Sequence, residues 1–415
     1  TFTDKGRARR SLMPFGHGDG GGGPTAGMLE QYRRLRDLDG SPGITIEAPE
    51  AFFDRAMAED PEPPRWVGEL YFETHRGTYT SQAGTKAGNR RSELLLREAE
   101  LWWTAASDGR AGGDYPSERL ARIWEDVLLH QFHDILPGSS IAWVHREAEA
   151  TYARVAAELE ALITDALARL APADGPAVAN AAPHDRREVA VLGADAWPDD
   201  VDAPAGAQAL DDGDTAVPIA VGALAVARLA DATWEPRPVT VVESDEGIVL
   251  DNGVLRAVLD ADGLIASLTV DGREAIAPGA RGNLLQLHPD LPTEYDAWDL
   301  DESHRHRVTD LVAADSVAVT DSGPLVARVA VARSFRSSRV VQTYELRAGS
   351  PRLDVRCEVD WHERDHVLKA AFPVDVHADA LTREIQMGHI TTAIHTNTSW
   401  DEARFEVCAH RWVDA

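Results

Sequence analysis

The chain has 415 residues, enough for two to four domains at roughly 150 residues each, and 44% of them are of the AVILMFWYC set, ample material for buried cores. Forty-one basic against 69 acidic side chains leave a formal charge of −28, which disfavours a nucleic-acid partner because phosphate binding draws on clustered Lys and Arg. No apolar run approaches the roughly 18 residues of a membrane span, and two cysteines, Cys357 and Cys408, rule out a disulfide scaffold and a Cys-rich zinc fold. The expectation is an acidic, soluble protein of the cytoplasm, without a signal-peptide pattern, without a membrane or nucleic-acid partner, and with two buried thiols, an unforced disulfide between them being the alternative. It opens on Thr1 in an Arg-rich stretch and stops at Ala415 just after a patterned apolar run, so it is expected to be an internal piece of something longer.

Residues 1–66 read as the end of an α/β domain. Met28, Leu29, Tyr32, Leu35 and Leu38 predict a helix over 26–38, with Thr25 as its cap and Gly40 as its stop, and Ile44-Thr45-Ile46 predicts a short strand. The run Asp60-Pro61-Glu62-Pro63-Pro64 marks a linker. Residues 67–172 read as a three-helix bundle. Its first helix, 93–106, carries Trp102 and Trp103. Its second, 117–136, starts on Ser117 as cap and ends before Pro137. Its third, 140–170, repeats apolar residues at three- and four-residue spacing. Residues 173–415 read as β, entered through a loosely packed Ala- and Pro-rich connection over 171–236. Asn252-Gly253, Asp262-Gly263 and Asp271-Gly272 recur at nine- to ten-residue gaps and predict a meander. Apolar and polar residues alternate over 353–361, which predicts a strand with one wet face, typical of a sandwich, and puts Cys357 on the dry one.

Three segments carry candidate chemistry. Gly16, Gly18 and Gly21 match G-x-G-x-x-G, with Glu47 as the acid of a dinucleotide site, yet Pro14 breaks the strand such a site needs, and no P-loop Lys follows. The glycines alternatively let the backbone approach a ligand and present Asp19 as a general acid, or simply form a turn with a solvated Asp. The stretch 69–82 crowds Arg76, Tyr79 and several other polar side chains before a buried helix, with Lys86, Asn89 and Arg90 next. That density suits hydrogen bonding to a polyhydroxyl ligand or, equally, a domain interface. Finally, His130-Gln131-Phe132-His133-Asp134 closes the second helix. His130 and His133, three apart, could share a metal, and a helix C-terminus favours a cation; a capping or surface pair is the plainer alternative. His133 lies off the Leu120/Trp124/Val127 stripe, so it faces solvent or another domain.

Several runs together resemble the α-mannosidases of glycoside hydrolase family 38. They are Gly18-Asp19-Gly20 through Thr25, Gly68-Glu69-Leu70-Tyr71-Phe72-Glu73-Thr74-His75-Arg76-Gly77-Thr78-Tyr79-Thr80-Ser81-Gln82, His130 through Ser140, Asn283 through Leu287, Tyr295-Asp296-Ala297-Trp298-Asp299, Asn397 through Asp401, and Phe405-Glu406-Val407-Cys408. The resemblance covers nearly the whole chain. It implies a multidomain α/β, all-α and all-β protein: the end of an α/β barrel-like catalytic domain, the bundle, and a mutarotase-like β-sandwich region. It further implies a retaining, zinc-dependent exo-α-mannosidase acting on mannose-containing oligosaccharides. His133 would be a Zn2+ ligand, Asp134 a contact to sugar hydroxyls beside Arg76 and Tyr79, and Asp19 the acid/base. The nucleophile and the remaining zinc ligands are expected upstream of Thr1, so this piece alone is expected to hydrolyse almost nothing. Rival readings are a non-catalytic carbohydrate-binding β-sandwich protein, a nicotinamide enzyme and an interaction scaffold. The oligomeric state is open, a homo-oligomer included.

Overall fold

The computed structural model describes residues 5–107, 115–173, 175–194, 203–204, 206–245 and 247–415. They fall into two units that divide after Leu70. In the first unit, helix α1 (Ala26–Leu35) starts as the sequence predicts, with Thr25 Oγ1 accepting from the Met28 N–H at 3.3 Å. It stops three residues early, ahead of the turn in which Gly40 takes φ +77°. The expected strand at 44–46 is not formed; the segment has no regular structure, and Ile44 N–H donates to Arg36 O at 3.1 Å. Helix α2 (Pro49–Glu59) is an addition to the sequence reading, although Pro49 and Glu50 are ordinary start signals. Arg10 and Arg7 pair with Glu59 (2.9 Å) and Asp60 (3.1 Å) at its end, and their hydrogen bonds hold both carboxyls below the usual range.

The second unit opens on a 3-10 segment, Glu73–Tyr79, followed by α3 (Ala83–Ala106), α4 (Ser117–His130) and α5 (Ala142–Leu170). Helix α3 begins ten residues before the predicted start. Its buried stripe there is polar (Thr85, Asn89, Ser92) and turns apolar only at Leu96, so hydrophobic periodicity does not find the first half. Gly88 allows the close approach to α5: a Cβ there would stand 2.7 Å from the Tyr152 ring. Leu96, Trp103, Leu120, Val127, Val155 and Leu162 form the common core of the three helices. Ser117 is the first helical residue rather than the cap, which is Pro116. Helix α4 ends at His130, six residues before the predicted end.

The remaining chain is antiparallel β. Strands β1 (Ala177–Asn180), β2 (Arg186–Leu192), β3 (Gln208–Ala209), β4 (Thr215–Val221) and β5 (Ala225–Arg228) make a β2-β4-β3 sheet and a β1-β5 pair. The expected loose connection is therefore folded where it is described, with Ala216 and Val217 fully buried; residues 174, 195–202 and 205 of it lie outside the described set. Next come β6 (Thr240–Ser244), β7 (Gly247–Asp251), β8 (Leu255–Leu259), β9 (Ile265–Val270) and β10 (Arg273–Glu274), paired in sequence order as the three Asx-Gly turns predict. In the tightest of these turns both Asp271 (φ +50°) and Gly272 (φ +76°) are left-handed, and Val270 pairs with Arg273 across it.

Strands β11 (Leu284–Pro289) and β12 (Thr309–Asp310) precede a second meander, β13 (Ser316–Ser322), β14 (Val326–Phe335), β15 (Ser338–Arg347) and β16 (Leu353–Asp360). Leu250 and Leu259 from the first meander share one core with Val329, Val331, Tyr344 and Leu346 from the second. Strand β17 (His366–Ala371) pairs with β11, and β18 (Ala380–Ile385), β19 (Gly388–Ala393), the short helix α6 (Ser399–Ala403) and β20 (Val413–Asp414) follow. The strand predicted around Cys357 exists, but the thiol is exposed rather than buried. β16 ends its sheet, and only Leu353 and Val355 reach the core from it. Cys408 is half-buried.

The helical core gives a direct test. Leu159 is fully buried in it, and Leu159→Ala is expected to destabilise the second unit by about 2–5 kcal/mol in chemical denaturation, the cost of lost transfer energy plus a cavity.

Candidate functional site

The turn after α4 displays His133 and Asp134. The helix tightens there, with Gln131 and Phe132 N–H groups donating three residues back to Leu128 and Leu129 (3.2 Å each), and the chain then turns through Gly138 at φ +92°. Two side-chain ties from α3 overrule continued helix. Lys86 Nζ donates to Leu136 O (2.8 Å) and Ser81 O (2.7 Å), and Gln131 Nε2 donates to Asn89 Oδ1 (3.0 Å) and Glu93 Oε1 (3.1 Å). Desolvation pulls the Lys86 ammonium down to about 8. A Cβ at Gly138 would sit 2.8 Å from Ser81, so the turn packs closely on the start of α3.

His133 therefore stands on a turn, beyond the helix that was expected to carry it. Its side chain is 76% exposed, lies against the Phe132 ring, and places Nε2 3.7 Å from Asp134 Oδ2. Asp134 is anchored by Ser139, whose hydroxyl donates to Oδ1 at 3.1 Å, and by Ser140 N–H, which donates to its carbonyl at 2.8 Å. The expected outward direction of His133 holds. The flanking Leu128, Leu129, Phe132, Ile141 and Trp143 are also exposed, an apolar setting around two polar groups. His130 is different: its Nδ1 is 2.6 Å from Asp126 O and its ring lies against Tyr152, so it belongs to the helix packing. An exposed imidazole nitrogen beside an anchored carboxylate is a donor pair that zinc accepts. It fits part of a site only, because the described residues hold no group of three His, Cys, Asp or Glu side chains able to bind a metal.

Asp19 lies in the first unit on a closed glycine loop. His17 N–H donates to Gly23 O (2.8 Å) and Gly22 N–H to His17 O (2.9 Å), with Gly18, Asp19 and Gly20 all at positive φ. Asp19 is exposed at this tip. A Cβ at Gly16 would lie 2.6 Å from Gly20 O. The loop's own closure thus accounts for its glycines. Irregular chain precedes it, with no strand among the described residues, and α1 starts only at Ala26, so the dinucleotide reading lacks its strand–turn–helix frame.

In the polar stretch, Arg76 is 9% exposed and its fork is engaged by the chain itself. Nε donates to Tyr71 Oη (3.2 Å), Nη1 to Asp299 Oδ1 (3.3 Å) and the Glu73 carbonyl, and Nη2 to Ala403 O (2.9 Å); the guanidinium also lies 4.2 Å over the Phe405 ring. Arg76 thereby takes the interface role, not that of a side chain open to a sugar. Tyr79 is half-buried at the end of the same segment. Gly77 N–H donates to Trp298 O at 2.9 Å, and His75 meets Trp298 edge to face with ring centroids 4.8 Å apart, its imidazole held below the usual range by burial. Reasoning from sequence did not find Asp299 as the partner of Arg76; the polar run 295–299 was its only local signal.

Comparison with known proteins gives one family along the chain. Residues 1–69 match the profile of the glycosyl hydrolases family 38 N-terminal domain, 73–170 that of the alpha mannosidase middle domain, and 250–415 that of the family 38 C-terminal domain. Alpha-mannosidase 2C1 of Homo sapiens is 38% identical over 99% of this chain and 39% of its own length; alpha-mannosidase G of Dictyostelium discoideum is 31% identical over 98% and 42%. The chain thus spans about two fifths of the curated relatives it matches. A crystal structure of an alpha-mannosidase from Enterococcus faecalis V583 superposes with TM-score 0.59 at 14% identity, over 84% of this chain and 50% of that one, a likeness of fold.

Lys86→Met should loosen the displaying turn. It strips two carbonyls of their donor, at about 1–3 kcal/mol for each group left buried without a partner. The pH dependence has a definite sign. With the folded ammonium at about 8 and the free one near 10.5, the unfolded chain binds the extra proton between those values. Wild-type stability should therefore gain across that window relative to Lys86→Met, as read from denaturation midpoints at pH 7.5 and 10.5.

Proposed function

Because the chain belongs to glycosyl hydrolase family 38, we propose that it forms part of a zinc-dependent, retaining exo-α-mannosidase that removes terminal α-linked mannose from glycans. The observation that carries the reading is the turn after α4. His133 is exposed on an apolar face, next to an anchored Asp134, and is supported from behind by Lys86 and Gln131. Such a face suits coverage by a neighbouring lobe, and the imidazole suits a metal completed there.

In this reading His133 supplies a nitrogen ligand. Zinc, when bound, orients and polarises sugar hydroxyls. Asp134 accepts a hydrogen bond from a mannose hydroxyl through the oxygen that Ser139 leaves open. Ser139 fixes the rotamer, so the acceptor is in place before the sugar arrives. Asp19 donates a proton to the leaving oxygen and then takes one from water, the exchange that retention requires of a carboxyl standing about 5–5.5 Å from the nucleophile. No residue of this chain is assigned as that nucleophile. Arg76 acts from behind the surface by holding the 71–79 segment, and Tyr79 lines the sugar side of it. The cytoplasm remains the proposed compartment.

The test uses the complete enzyme. His133→Ala should remove zinc, by elemental analysis, together with turnover of an activated α-mannoside; full metal content in that variant refutes the assignment. Asp19→Asn should keep the zinc and lower kcat by about 10²–10⁴, the usual contribution of a general acid.

A further inference from the structure

A polar cluster around one buried imidazole lies where β11, β17 and the segment after α6 meet, and the proposed chemistry does not use it. At its centre His304 is 2% exposed. Its Nδ1–H donates to Asp301 O at 2.7 Å, which leaves Nε2 as an acceptor. Lys369 Nζ, from β17, donates to that nitrogen at 2.9 Å and pairs with the Glu406 carboxylate as well. Glu406 Oε1 and His304 Nε2 are 3.1 Å apart. Two acceptors at that distance are held together by the cation between them.

Glu406 brings a segment with it. Tyr71 Oη–H donates to Glu406 O at 2.5 Å, Arg76 donates to Ala403 O, and Arg76 stacks on Phe405. The charged and titratable groups facing His304 are Lys369 from β17, Glu406 from the C-terminal segment, and His288 from β11. The His288 ring is 5.5 Å away; its Nδ1–H donates to His304 O at 3.1 Å and its buried Nε2 has no partner. Asp301 lies on the turn that carries His304; its carboxylate accepts from Thr293 N–H and Oγ1–H at 2.9 and 2.7 Å. Arg305 lies 6.0 Å from the Phe405 ring and Asp299 is paired with Arg76.

We propose that His304, Lys369 and Glu406 form an acid-release latch, which seats residues 399–406, and through them the 71–76 segment, against β11 and β17 at neutral pH and frees them on acidification. A proton on Nε2 turns the acceptor into a donor. The bond from Lys369 is lost, and two cations then share one half-buried carboxylate. Burial, reinforced by Lys369, holds the imidazole below its usual range. The opened segment therefore binds the proton more readily than the closed one, and opening grows as pH falls below about 6.5, by at most about tenfold per pH unit for a single proton.

Hydrogen–deuterium exchange of the 415-residue chain, corrected for the intrinsic pH dependence, tests this. Protection of residues 401–406 should fall tenfold or more between pH 7.5 and 5.0 relative to α5. His304→Gln keeps an acceptor for Lys369 without a titrating group, so its protection should be flat with pH. Lys369→Met should flatten the trend, because one of the two causes opposing the proton is gone and protonated His304 pairs with Glu406 without a competing cation. A pH-independent wild type, or Lys369→Met losing protection in acid as steeply as the wild type does, overturns the latch. If His304→Gln does not fold, the steepness of the Lys369→Met response still decides.

Discussion

The ammonium of Lys86 is the tie on which the display of His133 depends. It joins the carbonyl before α3 to the carbonyl that closes the turn after α4, and so holds the entry of one helix against the exit of another. A half-buried cation bonded to two carbonyls is expensive to desolvate, and its depressed affinity for its proton is the signature of that cost. The return is rigidity. An imidazole on a free turn would sample many directions, whereas here the turn is pinned at Leu136 by Lys86 and at Gln131 by Asn89 and Glu93. Under the proposed role as a zinc ligand, a group held this way would have little entropy left to lose on binding.

Arg76 plays a related part from within the 3-10 segment. It gathers Tyr71, Glu73, Asp299, Ala403 and Phe405, groups spread across more than three hundred residues of chain. A planar guanidinium suits this because its donors leave in several fixed directions at once and its face stacks on an aromatic ring, neither of which lysine offers. The polar density that looked in sequence like a ligand surface is largely the wiring of a joint between the helical segment and the β region.

What could be read from the sequence followed from local pattern. The Asx-Gly pairs located the turns of the first meander because a tight hairpin needs left-handed residues wherever it occurs. Thr25, the apolar stripe of α5 and the outward direction of His133 were legible for similar reasons. The misses share a cause in tertiary contact. The first half of α3 buries Thr85, Asn89 and Ser92, side chains no hydropathy scale calls core. Helix α4 stops at His130 because α3 supplies partners that favour a turn. The strand around Cys357 was correctly read as alternating, yet alternation cannot tell whether a second layer covers the apolar side, and Cys357 and Val359 stand exposed on it. The pairing of Arg76 with Asp299, 223 positions away, leaves no trace in either segment alone.

The uncovered end of that strand has its own consequence. β16 terminates its sheet, so its outer row of N–H and C=O groups is a template on which a foreign chain could add. Arg356, Glu358 and Asp360 stand exposed along it with both signs of charge. An incoming apolar strand would have to desolvate them, and a charged one would meet a mismatched neighbour. The mixed charges on one face of β16 thus guard the open rim of the sheet against fibrous stacking, beside a strand whose apolar face packs only at its beginning.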